Sequence, residues 1–404
     1  MQQIPSDRLS ISELPELPFR LASLLCFLFL FPRVGSSQAE YAGTVRDSIN
    51  REPIPFATVY FDGTTIGTTT NEDGSFSLSL STVRLPATVV VTHLNYQLAT
   101  RKVEQAGQGG NWLLAPARNE MAAVEVGDRN NREKNIAEFS ERFLGTDEWS
   151  QGATLLHPDR LRFDRNYEVD TLHNADVLVQ RYGLPDDLRK VEWSIDGKSL
   201  TFEQATDLQA QSNGSLQVDV PALGYRVSVD LQRFTVDYRA GSTYGLGSYY
   251  FEPYEGPDGR ARKKHRRNRQ RVYYFSGQHF LRALFEDDLD RQGFATYEMI
   301  DGNARPIDLR PYLSHASDGE MTIAGLQDRP ITILYFHDRR GQPLPPDRRK
   351  RAAYTSSVMV VGGPEATFRA DGTLGDSPIG FGGAMGASQV TRMLPSDYSP
   401  SDAD

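Results

Sequence analysis

Residues 61–80 read FDGTTIGTTTNEDGSFSLSL, and the fold of the first part of this chain turns on whether Asn71 to Gly74 hold a metal ion or turn a corner. Tested as an EF-hand-type loop, Asn71 and Asp73 take the third and fifth positions and Gly74 the sixth. The first and twelfth positions are then Thr69 and Leu80, so both of the carboxylates a divalent ion most needs are missing. What remains is a hairpin corner, in which Asn71 or Asp73 bonds local backbone and Gly74 accepts positive φ. The residues that follow agree, because Phe76, Leu78 and Leu80 alternate with serines and leave one apolar face.

Working outward, AGTV (42–45), PFATVYF (55–61), IGTTT (66–70), TVVVTHLNY (88–96) and NWLLAP (111–116) are short alternating runs with Gly, Asn and Asp at the joints. Their spacing predicts a seven-stranded-type β-sandwich over 40–118. A polar connector and short helix follow over 119–150, with Ile136, Phe139 and Phe143 at helical spacing and Gly145 as the left-handed stop.

Residues 151–394 read as a larger mixed domain of antiparallel sheet with one or two helices, so the whole is mainly β. VEWSIDGKSLTF (191–202) places Asp196-Gly197 between two alternating runs, a hairpin signal. From 216 to 238 the alternation slips by one residue, which predicts a β-bulge near Gln232-Arg233. A helix is expected over 276–292, capped by Ser276, striped by Phe280, Leu281, Leu284, Phe285 and Leu289, and ended by Gly293. Residues 395–404 are expected to form a C-terminal tail.

The 404 residues carry 44 Lys+Arg against 53 Asp+Glu, net −9, which argues against a general affinity for nucleic acid. LASLLCFLFLF (21–31) is too short to span a bilayer, which takes about 20 residues. Preceded by Arg20 and followed by Ser37-Gln38-Ala39, it suits a signal peptide over 1–39. The only cysteine, Cys26, would leave with it, and the large Leu25 before it argues against lipid attachment there. The mature chain then has no thiolate chemistry. It also has no later transmembrane segment, and the expected location is the periplasm, the outer membrane or the cell surface.

The run RARKKHRRNRQR (260–271) supplies Arg260, Arg262, Lys263, Lys264, Arg266, Arg267, Arg269 and Arg271 beside the aromatic stretches YYFEPY and VYYF. Read one way it is a solvated loop; read the other it is a grip for lipopolysaccharide, anionic glycan or another polyanion. The seven histidines make no H-E-x-x-H or paired-His motif, and no metal or cofactor is expected. His279, His337 and Asp338 are the speculative members of an active pocket. G-x-S-x-G, dinucleotide and P-loop patterns all fail, so no catalytic residues are assigned.

The run 43–80 is similar to the carboxypeptidase-regulatory-like domain, a transthyretin-like β-sandwich. Gly43, Val45, Asp47, Pro53, Ile54, Ala57, Val59, Gly63, Thr64, Gly67, Thr70, Gly74 and Phe76 carry the match. In zinc carboxypeptidases this domain accompanies the catalytic domain and holds no catalytic residue. It also precedes TonB-dependent receptor barrels, for which the residues left here are too few. FLGTDEW (143–149), LGYRVSVDLQRF (223–234), NRQRVYYFSGQHFLRAL (268–284), Gly293-Phe294 and LPSDYSP (394–400) resemble uncharacterised exported proteins of two-membrane bacteria. That resemblance bears on architecture more than on activity; a well-formed domain pattern without a catalytic constellation makes the leading expectation an exported, non-catalytic binding or scaffold protein with an envelope protein or glycan as partner. Two alternatives stay open: an envelope hydrolase with its site in 151–394, and polyanion or glycan binding through 260–271.

Overall fold

The alternation of Phe76, Leu78 and Leu80 buries all three, and it opens a mainly β protein of several sheets whose strand pairs are mostly antiparallel. The computed structural model describes residues 39–107, 109–117, 129–184, 188–256, 258–315, 319–375, 379–386 and 389–400. Apart from Ala39, the expected signal segment 1–39 lies outside them, as do residue 118 and the first part, 119–128, of the expected connector and helix over 119–150.

Strands β1 (Glu40–Asp47), β2 (Thr58–Phe61), β3 (Gly67–Thr69), β4 (Ser75–Ser79), β5 (Ala87–Thr92), β6 (Ala99–Val103) and β7 (Gly110–Leu114) make two facing sheets, β4-β1-β7 and β3-β2-β5-β6. Val45, Val59, Phe61, Phe76, Val89 and Trp112 meet between them. The acidic segment is a corner: Gly74 N–H donates to Asn71 O at 2.9 Å, Ser75 N–H to Asp73 Oδ1 at 2.9 Å, and Gly74 has φ +78°. Gly43 faces Gly110 across the parallel β1/β7 pair so closely that a Cβ on it would stand 1.7 Å from the Gly110 carbonyl oxygen.

Helix α1 (Arg129–Leu144) buries Phe139 and Phe143, whose rings stack at 4.8 Å and cover Phe234, and Gly145 ends it at φ +87°. It packs on a twisted sheet built from β8 (Thr154–Leu156), β9 (Leu161–His173), β10 (Arg189–Trp193), β11 (Ser199–Ser212), β12 (Leu216–Val220), β13 (Tyr225–Asp237) and β14 (Ser242–Pro253). The expected bulge is present, since the β13/β14 register breaks between Leu231 and Arg233. Helix α2 (Ala175–Tyr182) closes a small core with Leu200 and Phe202.

The basic run is not a loop. It forms helix α3 (Gly259–Tyr273), with Asp258 accepting the Ala261 N–H at 2.7 Å as its cap. Among the described residues three α-helices therefore lie between 151 and 394, the third being α4 (Gly277–Phe285), capped by Ser276. That helix is shorter than the 276–292 expected. Asp287 takes positive φ and Asp288 N–H turns back to Ala283 O, so Gly293 opens a strand rather than closing the helix.

The remaining strands, β15 (Phe294–Ile300), β16 (Asn303–Pro306), β17 (Leu313–His315), β18 (Glu320–Ala324), β19 (Ile331–His337), β20 (Ala353–Val361), β21 (Glu365–Arg369) and β22 (Ile379–Gly383), make two more sheets, β16-β15-β19-β20-β22 and β17-β18-β21. They enclose a second core around Phe280, Phe294, Ile333 and Phe368. Among the described residues no helix is long and apolar enough to cross a membrane.

The sandwich joins the rest through the segment FDGTTIG (61–67). Gly63 N–H donates to Tyr249 O at 2.7 Å, Phe251 N–H to Thr64 O at 3.0 Å, and Tyr249 N–H to Asp62 Oδ1 at 2.8 Å. Gly67 lets the Tyr250 ring in, and that ring stacks on Tyr60 at 5.2 Å. The described part of the expected tail, 395–400, is bonded to the body of the chain: Ser396 N–H bonds Gly63 O, Asp397 binds the Thr65 N–H and hydroxyl, and Arg282 donates to the carbonyls of Ser396 and Tyr398. Residues 395–400 are a strap that ties the sandwich to α4.

Two carboxylates lie in this joint. Asp230 accepts from Tyr60 Oη at 2.6 Å, from Ser215 Oγ and from Thr92 Oγ1, while burial raises its pKa against those bonds. Burial likewise lifts Asp62 to about 6, opposed by the Tyr249 N–H. The folded chain thus holds the Asp62 proton to higher pH than the unfolded chain, so stability is full near the unfolded value of 3.8 and is lost as pH rises through about 6. Asp62→Asn keeps an acceptor for Tyr249 and is expected to gain about 2–3 kcal/mol over wild type at pH 8 but little at pH 4, read by urea unfolding at both. Gly43→Ala is expected to cost about 3 kcal/mol or to prevent folding, because a backbone carbonyl cannot step aside as a flexible side chain can. The unfolding midpoint of that variant measures it.

Candidate functional site: a basic cleft

Helical geometry distributes the basic run over separate faces, so it is not one site. Arg269 turns inward: its guanidinium donates to Leu223 O at 2.8 Å and Gly224 O at 3.2 Å and lies 3.8 Å from the Tyr225 ring centroid. Burial draws its pKa down. Its neighbour Asn268 donates to Ala222 O at 2.7 Å. Arg266 and Arg262, one and two turns before it on the same side, line a 440 Å³ hollow with Tyr225, Asp397 and Tyr398. Arg260, Lys263 and Lys264 point to solvent.

Arg267 and Arg271 occupy the third face. They look across a cleft of about 1640 Å³ at DRRGQPLPPDRRKR (338–351), a second basic run whose place the sequence reading missed. Arg339, Arg340, Arg348, Lys350 and Arg351 line the opposite side, and Arg392 joins them. Among the described residues Asp338 is the only carboxylate in the lining. Its Oδ1 is engaged by the N–H groups of Arg340 at 2.7 Å and Gln342 at 2.9 Å, where it shapes the turn after β19.

Two of these cations are neutralised. Arg271 pairs with Glu148 at 2.8 Å and lies 4.8 Å from the Trp149 ring, and Arg392 pairs with Asp147. Among the described residues, Arg267, Arg339, Arg340, Arg348, Lys350 and Arg351 make no ion pair. Like charges around one cleft repel, and an anion bound among them would lower that repulsion. Phe275 and Arg351, both in the lining, hold left-handed backbone at φ 67°. For a bulky aromatic that conformation is strained, and strain of this kind gathers where a site needs a fixed geometry.

The histidines do not converge. His337 lines the basic cleft, with Nε2 3.2 Å from Thr355 Oγ1 and Nδ1 donating to the Asp338 carbonyl oxygen at 2.9 Å, so it bonds the Asp338 backbone rather than its carboxylate. His279 lines a different hollow of about 950 Å³, with Asp62, Tyr273 and Arg282, between the sandwich and the strap. It is 1% exposed, receives the Phe275 N–H at 3.3 Å and meets Gln292 Oε1 at 3.2 Å. Burial pushes its pKa down to about 4, which keeps it neutral at physiological pH. Tyr335 stands between the two imidazoles, 5.8 Å from one and 5.6 Å from the other. Among the described residues no three His, Cys, Asp or Glu side chains are grouped to hold a metal ion.

The second basic run had a signal in the sequence. Six Lys or Arg fall between 339 and 351 around GQPLPP, whose prolines mark a fixed, extended loop rather than a random one. Arg269→Ala is expected to cost about 2–4 kcal/mol through its lost carbonyl bonds and ring contact, whereas Lys263→Ala stays within about 0.5 kcal/mol. Denaturant unfolding of the two variants checks this.

Residues 41–126 match the model of the CarboxypepD_reg-like domain, so the chain carries a carboxypeptidase-regulatory-like domain at its sandwich. Among curated proteins none matches the chain. A similar solved structure is a protein of unknown function from Bacteroides fragilis NCTC 9343. It is 11% identical, covers 53% of this chain and 94% of its own, and has a TM-score of 0.16.

Proposed function

We propose that this chain is an exported, non-catalytic binding protein of the bacterial cell envelope, periplasmic or outer-membrane associated, and that its ligand is an anion held in the basic cleft. One observation carries the reading: six cations without ion-pair partners line a single large cleft whose one carboxylate is already engaged. The carboxypeptidase-regulatory-like domain and the apolar run Leu21 to Phe31 support export.

Two features favour binding over hydrolysis. His279 and His337 line different hollows, and Asp338 directs its carboxylate at backbone N–H groups rather than at an imidazole. The side chains bonded to the two imidazoles are Thr355 and Gln292, so neither ring is oriented by a carboxylate as a general base commonly is.

The test is retention on immobilised heparin, a sulfated polyanion, over a salt gradient. Replacing Arg267, Arg339, Arg340, Arg348, Lys350 and Arg351 together by Ser is expected to abolish retention and flatten the salt dependence. Replacing Arg260, Lys263 and Lys264 is expected to change either only slightly. Equal losses from both sets would mean that net charge alone is at work, and the cleft reading would fall.

A further inference from the structure

We propose that two copies of this chain pair through the end of the β-sandwich that lies away from the joint. This contact is independent of the basic cleft and comes from an apolar group that the fold gathers at that end.

Strands β1, β5 and β7 finish there, and β2 begins there. In the β2/β5 register Thr58 stands opposite Thr92, and Phe56 and Leu94 lie two residues beyond that pair, one on each side. The Asp47 carboxylate, buried at the end of β1, joins two of the loops: its Oδ1 accepts the Ile49 N–H at 2.6 Å and its Oδ2 the Tyr96 hydroxyl at 3.0 Å. Ile49, Phe56 and Leu94 are thus carried to one end by three separate loops, and they are 78%, 69% and 68% exposed. Single apolar residues on a surface need no explanation. Three at one end leave on the order of 400 Å² of apolar side chain in water, a size at which a patch on a monomer is often a site.

Phe56 is unfavourable in two ways. Its backbone is left-handed, φ +58°, in a turn that Thr70 fixes: the Thr70 carbonyl oxygen accepts the Phe56 N–H at 3.0 Å and its hydroxyl accepts the Ala57 N–H at 2.9 Å. Glycine meets such a turn without strain, whereas a bulky aromatic does not, and the exposed ring gains no burial in return. A residue held against both costs points to a contact outside the subunit.

The charges around the patch select the partner. Val45 N–H donates to the Gly74 carbonyl oxygen at 2.8 Å and brings the acidic corner 71–74 to the same end. Arg46 and Arg51 stand there with Glu52, Glu72 and Asp73, all five exposed, and among the described residues none of them makes an ion pair. A rim that carries both signs matches a second copy turned about a two-fold axis, because the arginines of one copy then face the carboxylates of the other. An anionic membrane would be repelled by three of the five charges. An interface takes roughly 800 Å² from each partner, so the apolar patch supplies the centre and the charged rim the remainder, as in interfaces between folded proteins.

The experiment is sedimentation equilibrium of Ala39–Asp404, a compact unit of its own, at protein concentrations up to about 1 mM. The wild type is expected to dimerise with a dissociation constant of about 100 μM or below. Phe56→Gly, which relieves the left-handed strain while removing the ring, is expected to raise that constant at least about tenfold without lowering the unfolding midpoint. A ring needed only for folding would lower the midpoint instead. Leu94→Asp is expected to weaken pairing as strongly, and it carries the test if Phe56→Gly does not fold. Arg46→Glu with Arg51→Glu makes one rim wholly acidic, and Glu52→Lys with Glu72→Lys makes another mainly basic. Each double variant is expected to be monomeric alone, and the two are expected to pair when mixed.

The proposal is overturned if the wild type stays monomeric at every concentration, if Phe56→Gly and Leu94→Asp both pair as the wild type does, or if the mixed charge variants remain apart. A monomer that binds phosphatidylcholine vesicles through Phe56 would give the same end to a lipid surface and overturn it equally.

Discussion

The joint between the first sandwich and strand β14 is the constraint on which the rest depends. Two of its hydrogen bonds are main chain to main chain, from Gly63 to Tyr249 and from Phe251 to Thr64, and a third anchors Asp62 to the Tyr249 N–H. Bonds of this sort fix register as well as contact, because a slip by one residue would turn every side chain of the segment to the opposite face. Gly67 must lack a Cβ for the Tyr250 ring to enter, and Gly63 must take φ +71°. The glycines of FDGTTIG therefore make the joint possible at all.

From that joint the constraint passes to the strap. Ser396 bonds the Gly63 carbonyl on one side while Arg282 of α4 grips the carbonyls of Ser396 and Tyr398 on the other. Helix α3 ends just before α4 begins, and Arg269 binds it to the turn between β12 and β13. The direction in which Arg267 and Arg271 face is set by these bonds, not by their own charge. A joint with two buried carboxylates gives up stability at neutral pH. Its hydroxyl donors, Tyr60 and Ser215, offset part of that cost and hold the two units in one orientation.

Much of the fold is legible in the sequence where burial follows a simple period. SFSLSL, the phase slip at Gln232 and the aromatic spacing of Phe139 and Phe143 each declare their structure, because each presents one apolar face to one core. Helix α3 does not. Its inward positions include Asn268 and Arg269, which satisfy carbonyls of the β12–β13 turn instead of filling an apolar core. A helix buried through hydrogen bonds carries no apolar stripe, so a period-based reading sees only a charged run. Helix α2 escapes for a related reason: three residues, Ala175, Leu200 and Phe202, make up its buried core, too few to set a pattern.

The candidate site is less legible still, and for a physical reason. Residues 267–271 and 339–351 are separated by strands β15 to β19, and either run alone is most simply a solvated charged segment. Only the fold makes them opposite walls. Once they are, the energetic meaning of each charge changes. A lone exposed arginine costs nothing, whereas six in one cleft raise one another's energy for as long as the cleft is empty. Salt can screen such repulsion over roughly 8 Å under physiological conditions, but only where solvent ions have access. All six of these side chains are exposed, so dissolved ions reach them and part of the repulsion is screened even in the empty cleft.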